Sequence, residues 1–163
     1  MNVSKRVLMG CLIAGLSTSM MAKDFESDLS IGLSQLKIKD GEDGANLSLG
    51  YGVTKQFDNK MLMGVAIGVE YANAGDYNIF GLSGDLKVGY HLFDSLNVYA
   101  LGGYRIQNFD ETTSYGFGYG AGVEYLWTQT ISTAVEYKTY SMVSNNRGDY
   151  DFNVVGLRLK YRY

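Results

Sequence analysis

Side chains able to do chemistry are scarce in this 163-residue chain: one histidine, His91, one cysteine, Cys11, and 17 acids against 14 bases. His91 could act as a general base only beside a nucleophile and an orienting carboxylate. Its sequence neighbours Asp94 and Ser95 lie in what reads as a tight turn, so an interior or turn histidine is expected, and no enzyme. No cluster of Cys and His has metal-ligand spacing, and no cofactor is expected. Arg147-Gly148-Asp149 spells an integrin-binding tripeptide, but a turn rich in Gly, Asp and Asn produces it by chance. Gly116, Gly118, Gly120 and Gly122 repeat with a period of two, which keeps them on one face of a strand; a phosphate cradle needs irregular spacing before a helix. What remains is a set of charges that share one parity of successive strands: Glu70, Asp85, Glu124 and Glu136 with Lys87, Arg105, Lys138, Arg158 and Lys160. Four acids and five bases sharing an enclosed space can do one thing well, which is pair.

The elements that position these charges follow from composition and period. Charged residues are 19%, Gly is 21 of 163, and Pro is absent. A mid-helix Gly costs roughly 1 kcal/mol, which argues against an all-α domain. A net charge of −3 without clustered Lys and Arg argues against nucleic acid as a partner. Residues 1–22 read as a signal peptide: Lys5 and Arg6, then the apolar run from Val7 to Leu16, then small residues to Ala22. Leu8-Met9-Gly10-Cys11 only faintly resembles a lipoprotein box. The domain is then 23–163, which contains no cysteine. Past Lys23 alternation runs through eight segments, 28–38, 45–56, 61–73, 79–92, 96–108, 115–127, 130–143 and 152–163, all predicted strands. They are longer than the usual strand.

In each, one parity is large and apolar and the other small or polar. Met61, Met63, Val65, Ile67 and Val69 oppose Gly64, Ala66, Gly68 and Glu70; Val155, Leu157, Leu159 and Tyr161 oppose Arg158 and Lys160. Alternation alone fits either a soluble barrel with an apolar lumen or a membrane barrel with an apolar exterior. The polar parity is dominated by Gly, Ser and Ala, sizes that fit inside a narrow eight-stranded tube, so the apolar parity is expected to face lipid. Phe57, Phe93 and Trp127 stand at three short turns, almost evenly spaced along the chain, as rings at a membrane interface would. The other four connections, 39–44, 73–78, 109–114 and 144–151, are longer and more acidic. Their carboxylates are expected to form a solvated rim, with divalent cations bridging them to lipopolysaccharide as the functional alternative.

Signal segment, eight alternating strands and the ending Leu159-Lys160-Tyr161-Arg162-Tyr163 resemble the small eight-stranded outer-membrane β-barrel family, which includes the OmpA transmembrane domain, OmpX and the opacity-protein-like barrels. The resemblance implies an all-β, antiparallel up-and-down transmembrane barrel in the outer membrane of a Gram-negative bacterium. It implies periplasmic termini and short turns, extracellular long loops, and a monomer among outer-membrane lipids and lipopolysaccharide. Members commonly end in an aromatic that the outer-membrane assembly machinery recognises, usually Phe; Tyr163, with Tyr161 before it, takes that place. Similar barrels include lipid A-modifying enzymes, which His91 is poorly placed to serve, and adhesins with long loops. The expected role is structural or surface-interactive, with an interior closed by charged pairs and no open pore.

Overall fold

The computed structural model describes residues 25–39, 43–75, 77–109, 112–144 and 148–163, and among them the regular structure is entirely β. The signal segment 1–22, with Cys11, lies outside the described residues, as do Arg147 and the loop carboxylates Asp40, Glu42, Asp76, Asp110 and Glu111. The strands are β1 (Glu26–Ile38), β2 (Asp43–Gln56), β3 (Met61–Ala74), β4 (Tyr77–Phe93), β5 (Leu96–Phe109), β6 (Thr112–Leu126), β7 (Ile131–Ser144) and β8 (Tyr150–Arg162). Each pairs antiparallel with the next, and β8 returns to β1, closing the barrel and leaving no edge.

Register fixes the geometry. Paired residues followed once around run from Asp28 through Gly52, Ala66, Asp85, Gly103, Gly118, Tyr140 and Phe152, and the path returns to β1 at Ile38 rather than at Asp28. That displacement along β1 is the shear, about ten residues, and eight strands with such a shear tilt at about 43° to the barrel axis. Each residue then adds about 2.4 Å of height, and each step to the next strand climbs about 1.25 residues toward the loop end.

The strands run further into the expected loops than alternation predicts. Asn73 pairs with Asn78 and Phe109 with Thr112, so residues 75–76 and 110–111 alone join their strands, where connections 73–78 and 109–114 were expected. Polar Asn and Thr at these positions break the hydropathy pattern but not the backbone ladder. Across the first hairpin the Tyr71 hydroxyl donates to Asn78 Oδ1 at 2.7 Å, and Gly75 takes the left-handed φ of 57° that so tight a link needs. At the opposite end the turn after β2 closes through Phe57 N to Met61 O and Lys60 N to Phe57 O, both 2.9 Å, with Lys60 itself at φ 66°. A register shift between His91 and Phe93 adds one residue to β4, so that Leu92 and Phe93 both face outward.

The apolar parity faces outward, with Leu33, Leu86 and Leu157 at 55–68% exposure, a surface that only lipid can cover. The polar parity lines the lumen. One part of the lumen departs from the expected pattern. Toward the loop end it is filled by apolar side chains, Leu36, Ala72, Ala74, Ile79, Tyr140, Met142, Phe152 and Val154, packed as one buried cluster.

Candidate functional site

The lumen holds the chain's concentrated chemistry, arranged in layers set by the shear. Nearest the apolar cluster, Arg105 on β5 reaches across β4 to Glu70 on β3, Nη1 to Oε2 at 2.6 Å, with both side chains at most 5% exposed. Glu70 also accepts from Asn46 Nδ2 at 2.8 Å and Ser83 Oγ at 3.0 Å. The Arg105 guanidinium lies over Phe152 at 5.0 Å and Tyr140 at 5.6 Å, so it borders the apolar cluster through ring faces. Its Nε and Nη2 have no hydrogen-bond partner among the described residues, and neither have Asn46 Oδ1 and Tyr140 OH. A cavity of about 20 Å³ lined by Arg105, Asn46 and Tyr140 among others has room for a single water.

In the middle layer Lys138 on β7 donates to Asp85 on β4 at 2.5 Å and lies 3.6 Å from Glu136 on its own strand. Glu136 takes a second base from β8, Arg158 Nε at 3.4 Å, and accepts from the Tyr99 hydroxyl at 2.9 Å. Nearest the turn end, Glu124 on β6 is ringed by Arg162 at 2.7 Å, Lys160 at 3.4 Å and Lys87 at 4.0 Å, and accepts from Ser132 Oγ at 2.6 Å. Lys87 and Lys160 both face the Tyr99 ring, at 5.1 and 5.4 Å. The nine charges expected inside are thus brought into one lumen, Glu136 with Arg158 and Glu124 with Lys160. Arg162 completes the set: it shares the parity of Arg158 and Lys160, and also meets Glu26 at 3.3 Å on the rim. Asp28, 8% exposed on β1, is a further inward acid.

Missing side chains make this layering possible. A Cβ at Gly118 would strike the Tyr140 ring, one at Gly122 the Tyr99 ring, and one at Gly81 would press on the Arg105 guanidinium at 3.2 Å. Each of these glycines is a recess under a large neighbour; in the period-two run on β6 that holds for Gly118 and Gly122, while Gly116 and Gly120 lie close against the backbone of β7. Bases and acids crowd together in low dielectric, where each ion's desolvation is offset only if its partner stays in place. The arrangement ties β3 to β5, β4 to β7, and β6 to β8 through paired charges.

His91 is half-buried near the turn end, its Nδ1 2.6 Å from Asn97 Oδ1 on β5. Among the described residues no group of three or more His, Cys, Asp and Glu could hold a metal. At the turn rim Phe57, Phe93 and Trp127 are exposed, the last two at 68% and 64%. Trp127 packs edge-on against Tyr125 at 4.8 Å and its Nε1 donates to Thr133 Oγ1 at 2.9 Å, an apolar ring with a satisfied polar handle. Tyr161 faces outward opposite Leu29, and Tyr163 extends past the end of β8, its backbone N bonded to Ser27 O at 3.1 Å.

The chain matches the family model described as outer membrane protein beta-barrel domain over residues 9–163. Solved structures similar to it include Neisserial surface protein A, at TM-score 0.62 and 11% identity, covering 85% of this chain and 97% of that one. They also include Ail, the attachment invasion locus protein of Yersinia pestis, at TM-score 0.61 and 18% identity, covering 86% and 99%. At such identities the likeness shows the fold. No curated protein sequence matches the chain.

Proposed function

We infer the role of this chain from its family: it belongs to the outer membrane protein β-barrel family, in the outer membrane of a Gram-negative bacterium. The reading its geometry supports best is an integral barrel with a structural or surface-contact role, not a porin and not an enzyme. One observation carries this: the lumen is occupied along its length, by the apolar cluster toward the loops and by three layers of ion pairs below it. Eight strands enclose about the volume that side chains fill, whereas water-filled channels need roughly 16.

Several finer assignments accompany that reading. The short turns and both termini face the periplasm, and the aromatic rim of Phe57, Phe93 and Trp127 marks the inner boundary of the bilayer. The loop end meets lipopolysaccharide. Tyr161 and Tyr163 on the closing strand serve as the signal for the assembly machinery, so Tyr163→Ala slows assembly in cells while leaving refolding into pure lipid unchanged. A monomer suffices, since closure leaves no sheet edge to share. Short links between β3 and β4 and between β5 and β6 give an adhesin little to project, which favours the structural role.

The test is electrical. Purified protein in a planar bilayer should give no sustained large conductance, and a steady porin-sized current would overturn the reading. Removing the gene from its host should raise uptake of a hydrophobic dye without abolishing any lipid A modification; loss of an acyl chain from lipid A would return the chain to the enzymes.

A further inference from the structure

The apolar belt is not the same height all the way round. With a climb of about 1.25 residues per strand, outward side chains can be compared at equal height above the level of Asp28. Between about six and nine residues up, β2 to β6 present Leu47, Tyr71, Leu82, Ile106 and Phe117. At the same heights β7, β8 and β1 present Thr139, Ser141, Asn153, Gln35 and Lys37. Three consecutive strands are thus polar on the lipid-facing parity where the other five are apolar.

Lower down no such difference exists: Val135, Leu157 and Leu33 continue the belt on this side at 54–68% exposure. The apolar band therefore spans about 26 Å over β2 to β6 and about 18 Å over β7, β8 and β1. The first value matches the roughly 25 Å of an outer-membrane barrel, and the second falls short by about 8 Å.

We propose that the sector formed by Thr139, Ser141, Asn153, Gln35 and Lys37 is contacted by polar lipid headgroups, so that the loop-side leaflet is locally thinned against β7, β8 and β1. Two observations choose headgroups over a protein partner. On β8 and β1 the sector runs directly into the charged loop rim, through Asp151 beyond Asn153 and through Lys37, which pairs in register with Asp43, while the Gln35 amide donates to Asp43 Oδ2 at 3.4 Å; on β7 a single apolar residue, Val143, stands between Ser141 and the loop. A polar island enclosed by apolar surface would instead mark a contact with a second protein, whose side chains would hydrogen-bond to it within the membrane. Second, the residues are uncharged below the rim, and at it the cation Lys37 stands with the acids Asp43 and Asp151, a mix of charges that suits the phosphate and ammonium of a zwitterionic headgroup above its glycerol oxygens. An apolar stretch shorter than the bilayer is accommodated by thinning at modest cost. The inference rests on the membrane-barrel reading, and not on which end faces the cell exterior.

Depth measurements test it in the full-length protein, in a Cys11→Ser background, refolded into dioleoylphosphatidylcholine vesicles. Thr139→Cys and Asn153→Cys are compared with Leu82→Cys and Ile106→Cys, which lie at matching heights, each labelled with an environment-sensitive fluorophore. A gel shift on boiling confirms folding of every variant. Labels at 139 and 153 should emit at longer wavelength and be quenched several-fold more by an aqueous ion than those at 82 and 106. Equal emission and quenching at all four sites would overturn the thinning. Protection of 139 and 153 from both aqueous and lipid-borne quenchers, lost on dilution into excess lipid, would overturn it in favour of a second copy of the chain. As an independent check, Thr139→Leu with Asn153→Leu should shift the optimum for refolding toward longer acyl chains; no shift would count against the proposal. If all labels proved water-exposed, the membrane reading itself would fail instead.

Discussion

Replacing Glu70 by Ala should be the most damaging single truncation in the lumen. Glu70 is 6% exposed and holds three partners: Arg105 at 2.6 Å, Asn46 at 2.8 Å and Ser83 at 3.0 Å. Without it Arg105, 1% exposed and already with two guanidinium nitrogens lacking a hydrogen bond, keeps its charge against the rings of Tyr140 and Phe152 with no anion in contact. Breaking a buried pair from one side costs about 3–5 kcal/mol, and screening by salt is slight at this depth. Glu70→Gln keeps an acceptor for Asn46 and Ser83 and should cost less, about 1–3 kcal/mol. The double variant with Arg105→Ala should be about 1–3 kcal/mol better than the sum of the two singles. The assay is urea unfolding in phosphatidylcholine vesicles followed through Trp127, the one tryptophan of the chain. A cost below about 1 kcal/mol for Glu70→Ala, with additive singles, would refute the view that these ions brace the strands.

Further substitutions probe other surfaces in the same assay. Leu157→Arg places a charge near mid-belt and should cost about 2–4 kcal/mol; an unchanged midpoint would reverse the inside and outside faces. Gly118→Ala should cost about 1–3 kcal/mol by forcing the Tyr140 ring aside, while Gly84→Ala, whose Cβ would meet nothing within 4 Å, should be neutral or mildly stabilising. Equal effects at the two glycines would show that lumen space is not limiting. Lys60→Gly, relieving a left-handed residue at φ 66°, should gain up to about 1 kcal/mol, seen as a higher urea midpoint.

Strand number and facing were legible because a period of two survives along almost every strand, and because Gly and Ser on one parity have a meaning only inside a tube. Which charges meet was less legible. Glu136 and Arg158 lie on adjacent strands, near enough to infer. Glu70 reaches Arg105 across one intervening strand, and Asp85 reaches Lys138 from β4 to β7, contacts fixed by a shear that alternation does not encode. The apolar cluster was hidden for another reason. Leu36, Met142 and Phe152 occupy the inward parity near strand ends, where their outward neighbours Gln35, Lys37, Ser141, Asp151 and Asn153 are polar, so the contrast that marks a face is inverted there. Their signal was present as an inversion of the alternation beside the loops. Polar outward residues such as Asn73, Asn78 and Thr113, read as chain leaving the sheet, made the loops look longer than they are.

The apolar cluster also bears on how the barrel comes together in time. Its members come from β1, β3 and β4, in the first half of the barrel, and from β7 and β8 at its end: Leu36, Ala72 and Ile79 on one side, Met142 and Phe152 on the other. Most of the domain's sequence separates Leu36 from Met142, so their contact waits until the first and last strands meet. Loop-closure entropy opposes that meeting, and its reward arrives late. The cluster is thus expected to be absent from the transition state for folding. Weakening it should leave the rate of insertion nearly unchanged and accelerate unfolding, so its stabilising effect acts on how long a closed barrel stays closed.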